Sequence, residues 1–300
     1  MARKVHVVIN PASGQPKPVL HTLNGVFRSA GIDWDLSITK DRGDAERFAR
    51  QAAASGANVV AAYGGDGTVM EVARGLLGSE TPMAILPGGT ANLMSVELGI
   101  PKNLAKAAAI AADPQSRARM VDAGLFGGKT PFLLRVGIGG AARKVEIADR
   151  DLKNKYGEMA YSIGALKTIG TQDKTQYTFT LDGKRYDTPA YSVLVDNAGN
   201  LGLPGVGLKS ILVDDGLLDV IVVLDYRLRS FISIGASVLS QKLNPDYILH
   251  AQAREITIES DPPQPVQIDG EMAGETPVEI KVMPGQVRIL AKAQAAAKAN

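Results

Sequence analysis

From residue 5 to residue 112 the sequence alternates between two periods. Short β-branched runs give way to longer segments with apolar residues at helical spacing, and then return. Strand signals at residues 5–9, 34–39, 58–62 and 83–86 alternate with helix signals at 18–30, 44–55, 69–77, 91–98 and 104–112. Parallel strands need a long crossover, and a helix is the usual one. The alternation therefore restricts this part of the chain to an α/β domain with a parallel sheet. Ligands of such sheets bind beyond the carboxyl ends of the strands. Those loops are where chemistry is expected.

The pattern changes after about residue 118. Residues 120–125 and 131–136 read as paired strands around Gly127-Gly128, and residues 176–181 and 186–195 as a pair around Asp182-Gly183. Further strands are expected at 217–224, 255–259, 265–268, 278–282 and 286–291, with helices inserted at 141–153, 159–169 and 230–241. This is the pattern of a C-terminal antiparallel β-rich sandwich. The sequence divides into an α/β domain over 1–120, a β-rich domain over 121–292 and an alanine-rich, disordered tail over 293–300.

Composition narrows the functions open to such a chain. Its 300 residues, 45% hydrophobic and 21% charged, exclude disorder as the main state and suffice for two cores. A net charge of +2 gives no reason to expect nucleic acid. With no cysteine, disulfides, thiol nucleophiles and thiolate metal sites are excluded. Three histidines (His6, His21 and His250) lie far apart in sequence and argue against a histidine-rich metal site. The first apolar run ends at Asn10-Pro11, too early for a signal segment, and no run approaches the length of a membrane span. A cytoplasmic chain that meets membranes only peripherally is expected.

The most informative loop is Gly64-Gly65-Asp66-Gly67-Thr68-Val69-Met70, where an apolar strand passes into a helix. Glycines let a backbone approach phosphate closely, and a helix N-terminus offers N–H groups and partial positive charge. Thr68 and Glu71 have the spacing of a capping box, so Thr68 is expected to cap the helix. Asp66 would repel phosphate at such a turn unless a cation bridged them, which implies Mg²⁺. Two more loops of this kind follow neighbouring strand signals: Asn10-Pro11-Ala12-Ser13-Gly14, and Gly88-Gly89-Thr90-Ala91-Asn92. One glycine-rich loop is a weak signal; three at one sheet edge form a strong one. Two other glycine motifs read as structural. Residues 123–130 mimic a phosphate-binding loop but lead into Pro131 and a strand. Residues 137–142 mimic a dinucleotide motif outside any βαβ unit and read as close packing.

These segments resemble the diacylglycerol kinase catalytic-domain family, which includes soluble bacterial lipid kinases and the sphingosine and ceramide kinases. The resemblance rests on Asn10 to Gly14, Thr39 with Gly43-Asp44-Ala45, Gly64 to Thr68, and Gly88 to Asn92 leading to Leu98-Gly99-Ile100-Pro101. It continues in Val121-Asp122, Asp215-Gly216-Leu217-Leu218-Asp219 and Ile268-Asp269-Gly270-Glu271, all in family order. It implies an N-terminal nucleotide domain and a β-rich partner domain. It further implies that ATP binds at Asn10, Pro11, Ala12, Ser13, Gly14, Thr39, Gly64, Gly65, Asp66, Gly67, Thr68, Val69, Met70, Gly89, Thr90 and Asn92. Asp66, Asp122 and Asp269 would hold water and catalytic Mg²⁺, and Asp269 or Glu271 would be the general base. Asp215, with the carbonyls of Leu212 and Leu217, would form a separate structural Mg²⁺ site. Leu93-Met94 departs from the family pattern, where a bulky aromatic is common.

The expected reaction is transfer of the γ-phosphoryl group of ATP to a lipid hydroxyl. Such transfer depends on positioning and charge neutralisation. If residues 269–271 are extended, both acids share a face, which would suit one as base and one as metal ligand. The bland reading is a turn with solvated acids, and for Asp122 a solvated strand residue. Residues 231–239 are apolar enough to line a lipid cleft or to form a core helix, and Arg227 and Arg229 before them would suit anionic headgroups or solvent. The partner expected is a lipid at a membrane surface, with a homodimer left open. The alternatives are an NAD kinase, for which Asn197 lacks the usual neighbouring Glu, and a nucleotide-sensing module without catalysis.

Overall fold

The computed structural model describes residues 3–14, 18–142, 174–203, 206–207, 210–225 and 246–291. The expected helices at 159–169 and 230–241, most of that at 141–153, Arg227, Arg229 and the tail at 293–300 lie outside the described residues. The chain forms two compact units. One comprises residues 1–122 with 285–300, the other residues 123–284.

The first unit begins with β1 (Lys4–Ile9), α1 (Val19–Ser29), β2 (Asp33–Ile38), α2 (Asp44–Ala54), β3 (Val59–Gly64), α3 (Asp66–Gly75), β4 (Met83–Pro87), α4 (Leu93–Glu97) and α5 (Leu104–Ala112). The strands pair in the order β2-β1-β3-β4, all parallel. Every residue of β3 and β4 is buried, as expected of parallel strands covered on both faces. Strand β2 lies at the edge and is mostly exposed, with Trp34 and Ser37 half-buried. Helix α1 buries Leu23 and Phe27 one turn apart, and Phe27 meets Trp34 of β2 at 5.5 Å between ring centroids. Helices α2 and α3 approach closely because position 75 is glycine: a Cβ there would lie 2.4 Å from the Glu46 carbonyl oxygen. The order reverses direction between β1 and β3, so a crevice opens at their carboxyl ends.

Strand β5 (Arg117–Phe126) runs on into the second unit, followed by β6 (Thr130–Phe132), β7 (Arg135–Gly139), β8 (Thr175–Leu181), β9 (Lys184–Ala190), β10 (Ser192–Asp196), β11 (Asn200–Leu203), β12 (Val206–Gly207), β13 (Leu218–Val223), β14 (Ile248–Ala253), β15 (Glu255–Asp261), β16 (Pro265–Ile268), β17 (Glu271–Glu275) and β18 (Val278–Ala291). One antiparallel sheet runs β14-β13-β10-β7-β16-β17; the opposing strands run β18-β15-β8-β9. Alternate residues of both, among them Val136, Ile138, Tyr177, Phe179, Val195 and Ile258, form one buried core. This is a β-sandwich. The C-terminal end of β18 belongs to the first unit: Ile289 pairs with Met83 in parallel, and Arg288 pairs with Glu80.

Several elements differ from the sequence reading. Residues 131–136 split between two strands because the amides of 133–135 bond to the Asp269 carboxylate. Residues 186–195 split at Tyr191, where the chain passes from one sheet to the other. Residues 278–291 form one strand, continuing through the Pro284-Gly285 turn signal, because its two ends pair with β15 and β4. Strands β11, β12, β14 and β17 have no counterpart in the sequence reading. Helix α4 is shorter than expected and begins only after Asn92, which takes a left-handed conformation at φ +51°. Thr68 is not a cap: α3 starts two residues earlier with Gly65 at its N-cap, and Glu71 instead accepts from the Ala45 amide of α2 at 3.1 Å.

Candidate functional site

The three glycine-rich loops and Thr39 all stand at the carboxyl edge of the parallel sheet. Asn10 follows β1, and its amide donates to the Tyr63 carbonyl at the end of β3 (2.9 Å). Its side-chain Oδ1 accepts from the Ala12 amide at 3.0 Å, turning the loop, while Nδ2 donates to Thr68 Oγ1 at 3.1 Å. This last bond joins the β1 loop to the first turn of α3. It accounts for the burial of Thr68, which is 7% exposed. Thr39, after β2, donates its amide to the Ile9 carbonyl at 2.9 Å.

The loops meet backbone to backbone. Gly14 lies at φ +73°, and a Cβ there would come within 1.9 Å of the Gly88 carbonyl oxygen. A Cβ on Gly89 would lie 2.5 Å from the Gly65 Cα, and one on Gly64 would strike Thr68. The Gly88 and Gly89 amides both donate to the Gly64 carbonyl (2.9 and 3.1 Å). Asn92 locks its loop, accepting from the Gly89 amide at 3.0 Å and donating to the Gly89 carbonyl at 2.6 Å. Gly67 differs from these glycines: it is exposed, and a Cβ there would meet nothing within 4 Å. Val69 and Met70 are buried. Of the remaining positions, Pro11, Ala12 and Thr90 are exposed and Ser13 is half-buried.

Asp66 opens α3 and is half-buried at this edge. Asp122 is also in the first unit. It is 2% exposed, and its Oδ1 accepts from the Gly285 amide at 2.7 Å, so it is not a solvated strand residue. Among the described residues no three His, Cys, Asp or Glu side chains gather as a metal group. An Mg²⁺ ion arriving with a triphosphate needs only one or two carboxylates, since phosphate and water complete its shell. Asp66 beside the glycine loops fits an ion delivered in that way. In the second unit, Asp215 Oδ1 accepts from the Leu217 amide at 3.0 Å and Oδ2 from Gln252 Nε2 at 3.3 Å, while Leu212 is exposed. One carboxylate with main-chain carbonyls is a donor set for a hard cation.

Asp269 and Glu271 do not share a strand face. Asp269 and Gly270 form the two-residue turn between β16 and β17, at φ +47° and +92°. Asp269 is half-buried, and its carboxylate is held by main-chain amides rather than by solvent alone. Its Oδ1 accepts from the amides of Arg135 (2.9 Å) and Leu134 (3.2 Å), and its Oδ2 from the amide of Leu133 (3.2 Å). Glu271 is exposed at the start of β17. The two acids of one short motif therefore have opposite environments.

Sequence reasoning missed a buried charged cluster next to this turn. Register places Arg135 of β7, Asp196 of β10 and Asp219 of β13 side by side across three strands. Arg135 Nε lies 3.2 Å from Asp196 Oδ1, and His250 Nε2 lies 2.5 Å from Asp219 Oδ1. Burial, with the negative charges of Asp219 and Asp269 nearby, pushes the Asp196 carboxyl up to about 6 against the opposing pull of Arg135 and His250. A carboxylate at the last or second position of a largely apolar strand was the available signal. The decoy glycines pack tightly: a Cβ at Gly139 would lie 2.4 Å from the Tyr177 hydroxyl. Gly127 and Gly128, both left-handed, form a hairpin turn.

A family described as "Diacylglycerol kinase catalytic domain" matches residues 4–124, and one described as "YegS C-terminal NAD kinase beta sandwich-like domain" matches residues 135–291. The chain belongs to the diacylglycerol kinase catalytic-domain family. A family relative, the diacylglycerol kinase of Bacillus subtilis (strain 168), is 27% identical over 290 residues, 92% of each chain. The "Probable lipid kinase YegS-like" of Pseudomonas aeruginosa (strain UCBPP-PA14) is 31% identical over 270 residues, 87% of this chain and 86% of that one. The crystal structure of a diacylglycerol kinase from Bacillus anthracis str. Sterne superposes with a TM-score of 0.78 at 31% identity, covering 97% of this chain and 98% of that one. Family membership makes the chain a lipid kinase homologue with ATP as the implied phosphoryl donor. No helix among the described residues is long and apolar enough to cross a membrane.

Proposed function

We propose that this protein transfers the γ-phosphoryl group of Mg²⁺-bound ATP to a hydroxyl of a lipid such as diacylglycerol. The observation that carries the reading is the edge built from three loops, where Asn10 bonds Thr68 and Gly14 meets Gly88 beside the N-terminus of α3. A helix N-terminus flanked by exposed glycine suits a phosphate chain. Asp66 would hold the ion that neutralises it. Glu271 would be the base, because it is exposed, whereas both oxygens of Asp269 already accept amide bonds. In the step, the acceptor oxygen bonds the γ-phosphorus, the β–γ bridge bond breaks, ADP leaves and the acceptor proton passes to Glu271. The protein would act in the cytoplasm and meet its lipid peripherally.

The test is γ-labelled ATP with Mg²⁺ over vesicles of phosphatidylglycerol containing diacylglycerol, beside Asp66→Asn. Label in an extractable lipid that disappears in the variant supports the reading. Label on added NAD, or on neither acceptor, refutes it.

A further inference from the structure

The segment 133–135 is bonded on both sides, and the two partners are Asp269 and Asn197. Its three amides donate to the Asp269 carboxylate. Its three carbonyls are also occupied: Asn197 Nδ2 donates to Leu133 (2.9 Å), the Asn197 amide to Leu134 (2.9 Å) and the Asp269 amide to Arg135 (3.0 Å). Asn197 is 1% exposed and follows directly on Asp196, whose carboxylate pairs with the Arg135 guanidinium. Any shift of residues 133–135 therefore moves the Asp269 turn, and with it Glu271 two residues on. Leu133 and Leu134 are buried and the core residues Phe132 and Val136 flank the segment, so these polar bonds fix the chain inside the fold. Buried polar groups with every partner in place hold one geometry rigidly.

We propose that Asn197, together with the Arg135–Asp196 ion pair, positions the Asp269-Gly270-Glu271 turn for phosphoryl transfer. These residues act through the 133–135 segment and are positioning residues, not catalytic ones. The proposal rests on the reading of Glu271 as the base.

The test combines kinetics with amide hydrogen exchange on the full chain. Over the same vesicles, Asn197→Ala is expected to lower kcat about a hundredfold, because small displacements of reacting groups cost that much. The KM for ATP should stay within about twofold of the unchanged protein, since the nucleotide loops lie in the first unit. Arg135→Gln should lower kcat in the same way, and Arg135→Lys, which keeps a cation for Asp196, should recover about tenfold of it. Exchange at Leu133, Leu134 and Arg135 should quicken in Asn197→Ala, and likewise in Asp269→Asn. An unchanged kcat, or a raised KM for ATP with kcat intact, overturns the proposal. So does unchanged exchange, even if the unaltered protein labels no lipid. In that last case the functional reading fails separately, because exchange is measured without turnover.

Discussion

Asp269 and Arg135 are bonded in both directions: the Asp269 amide donates to the Arg135 carbonyl at 3.0 Å, and the Arg135 amide donates to Asp269 Oδ1 at 2.9 Å. The Asp269-Gly270-Glu271 turn is thus tied to β7, and its aspartate is a structural acceptor.

Replacing Asp269 by alanine should therefore destabilise the fold as well as stop turnover. Three amides would lose their acceptor, and an orphaned donor away from solvent costs about 1–3 kcal/mol. A loss of at least about 2 kcal/mol is expected in urea denaturation. An unchanged midpoint would show that water replaces the carboxylate freely.

Glu271→Gln should behave differently. The side chain is exposed, so stability should stay within about 0.5 kcal/mol of the parent. Turnover should fall about 10²- to 10⁴-fold, the usual contribution of a positioned proton acceptor. Paired denaturation curves and initial rates for the Asp269→Ala and Glu271→Gln proteins separate the two roles.

The glycines of the three-loop edge should divide into two groups. Gly14→Ala meets the Gly88 carbonyl at 1.9 Å from a positive φ, so both the melting temperature and ATP affinity should drop. Gly67→Ala meets nothing within 4 Å, so the fold should be unaffected. If phosphate lies against position 67, ATP should nevertheless bind more weakly. Calorimetric titration beside thermal melts distinguishes these outcomes, and a Gly67→Ala protein with parental affinity would move the phosphates away from that turn.

Asp196 should make stability fall as pH rises through the acidic range. Its carboxyl is raised from 3.8 to about 6 in the fold, first by burial. Between those values the native state holds a proton that the unfolded chain has released, so raising the pH favours unfolding. The penalty is absent below about 4 and complete above about 6. Urea midpoints measured across this window should show the fall, and Asp196→Asn should flatten this component of it.

Much of the architecture was legible because local rules suffice for it. Strands β3 and β4 are apolar runs closed by Gly64 and Pro87, and α5 begins after Asn103, whose side chain accepts from the Lys106 amide at 3.0 Å. Thr68 shows the limit of such rules. Its spacing to Glu71 matches a capping box, yet a neighbouring loop and a neighbouring helix supply the partners that both side chains take.

Contiguous residues carry the parallel sheet, the antiparallel second half, the three glycine loops and the family resemblance. Periodicity, turn chemistry and motif order are properties of contiguous residues, and they survive without knowledge of what packs against them. Folding alone brings Asp269 to residues more than 130 positions earlier, buries Asp122 against Gly285, and gathers Arg135, Asp196, Asp219 and His250 into one cluster. Those relationships depend on strand order and register, which join distant residues and leave no trace in the spacing of neighbours.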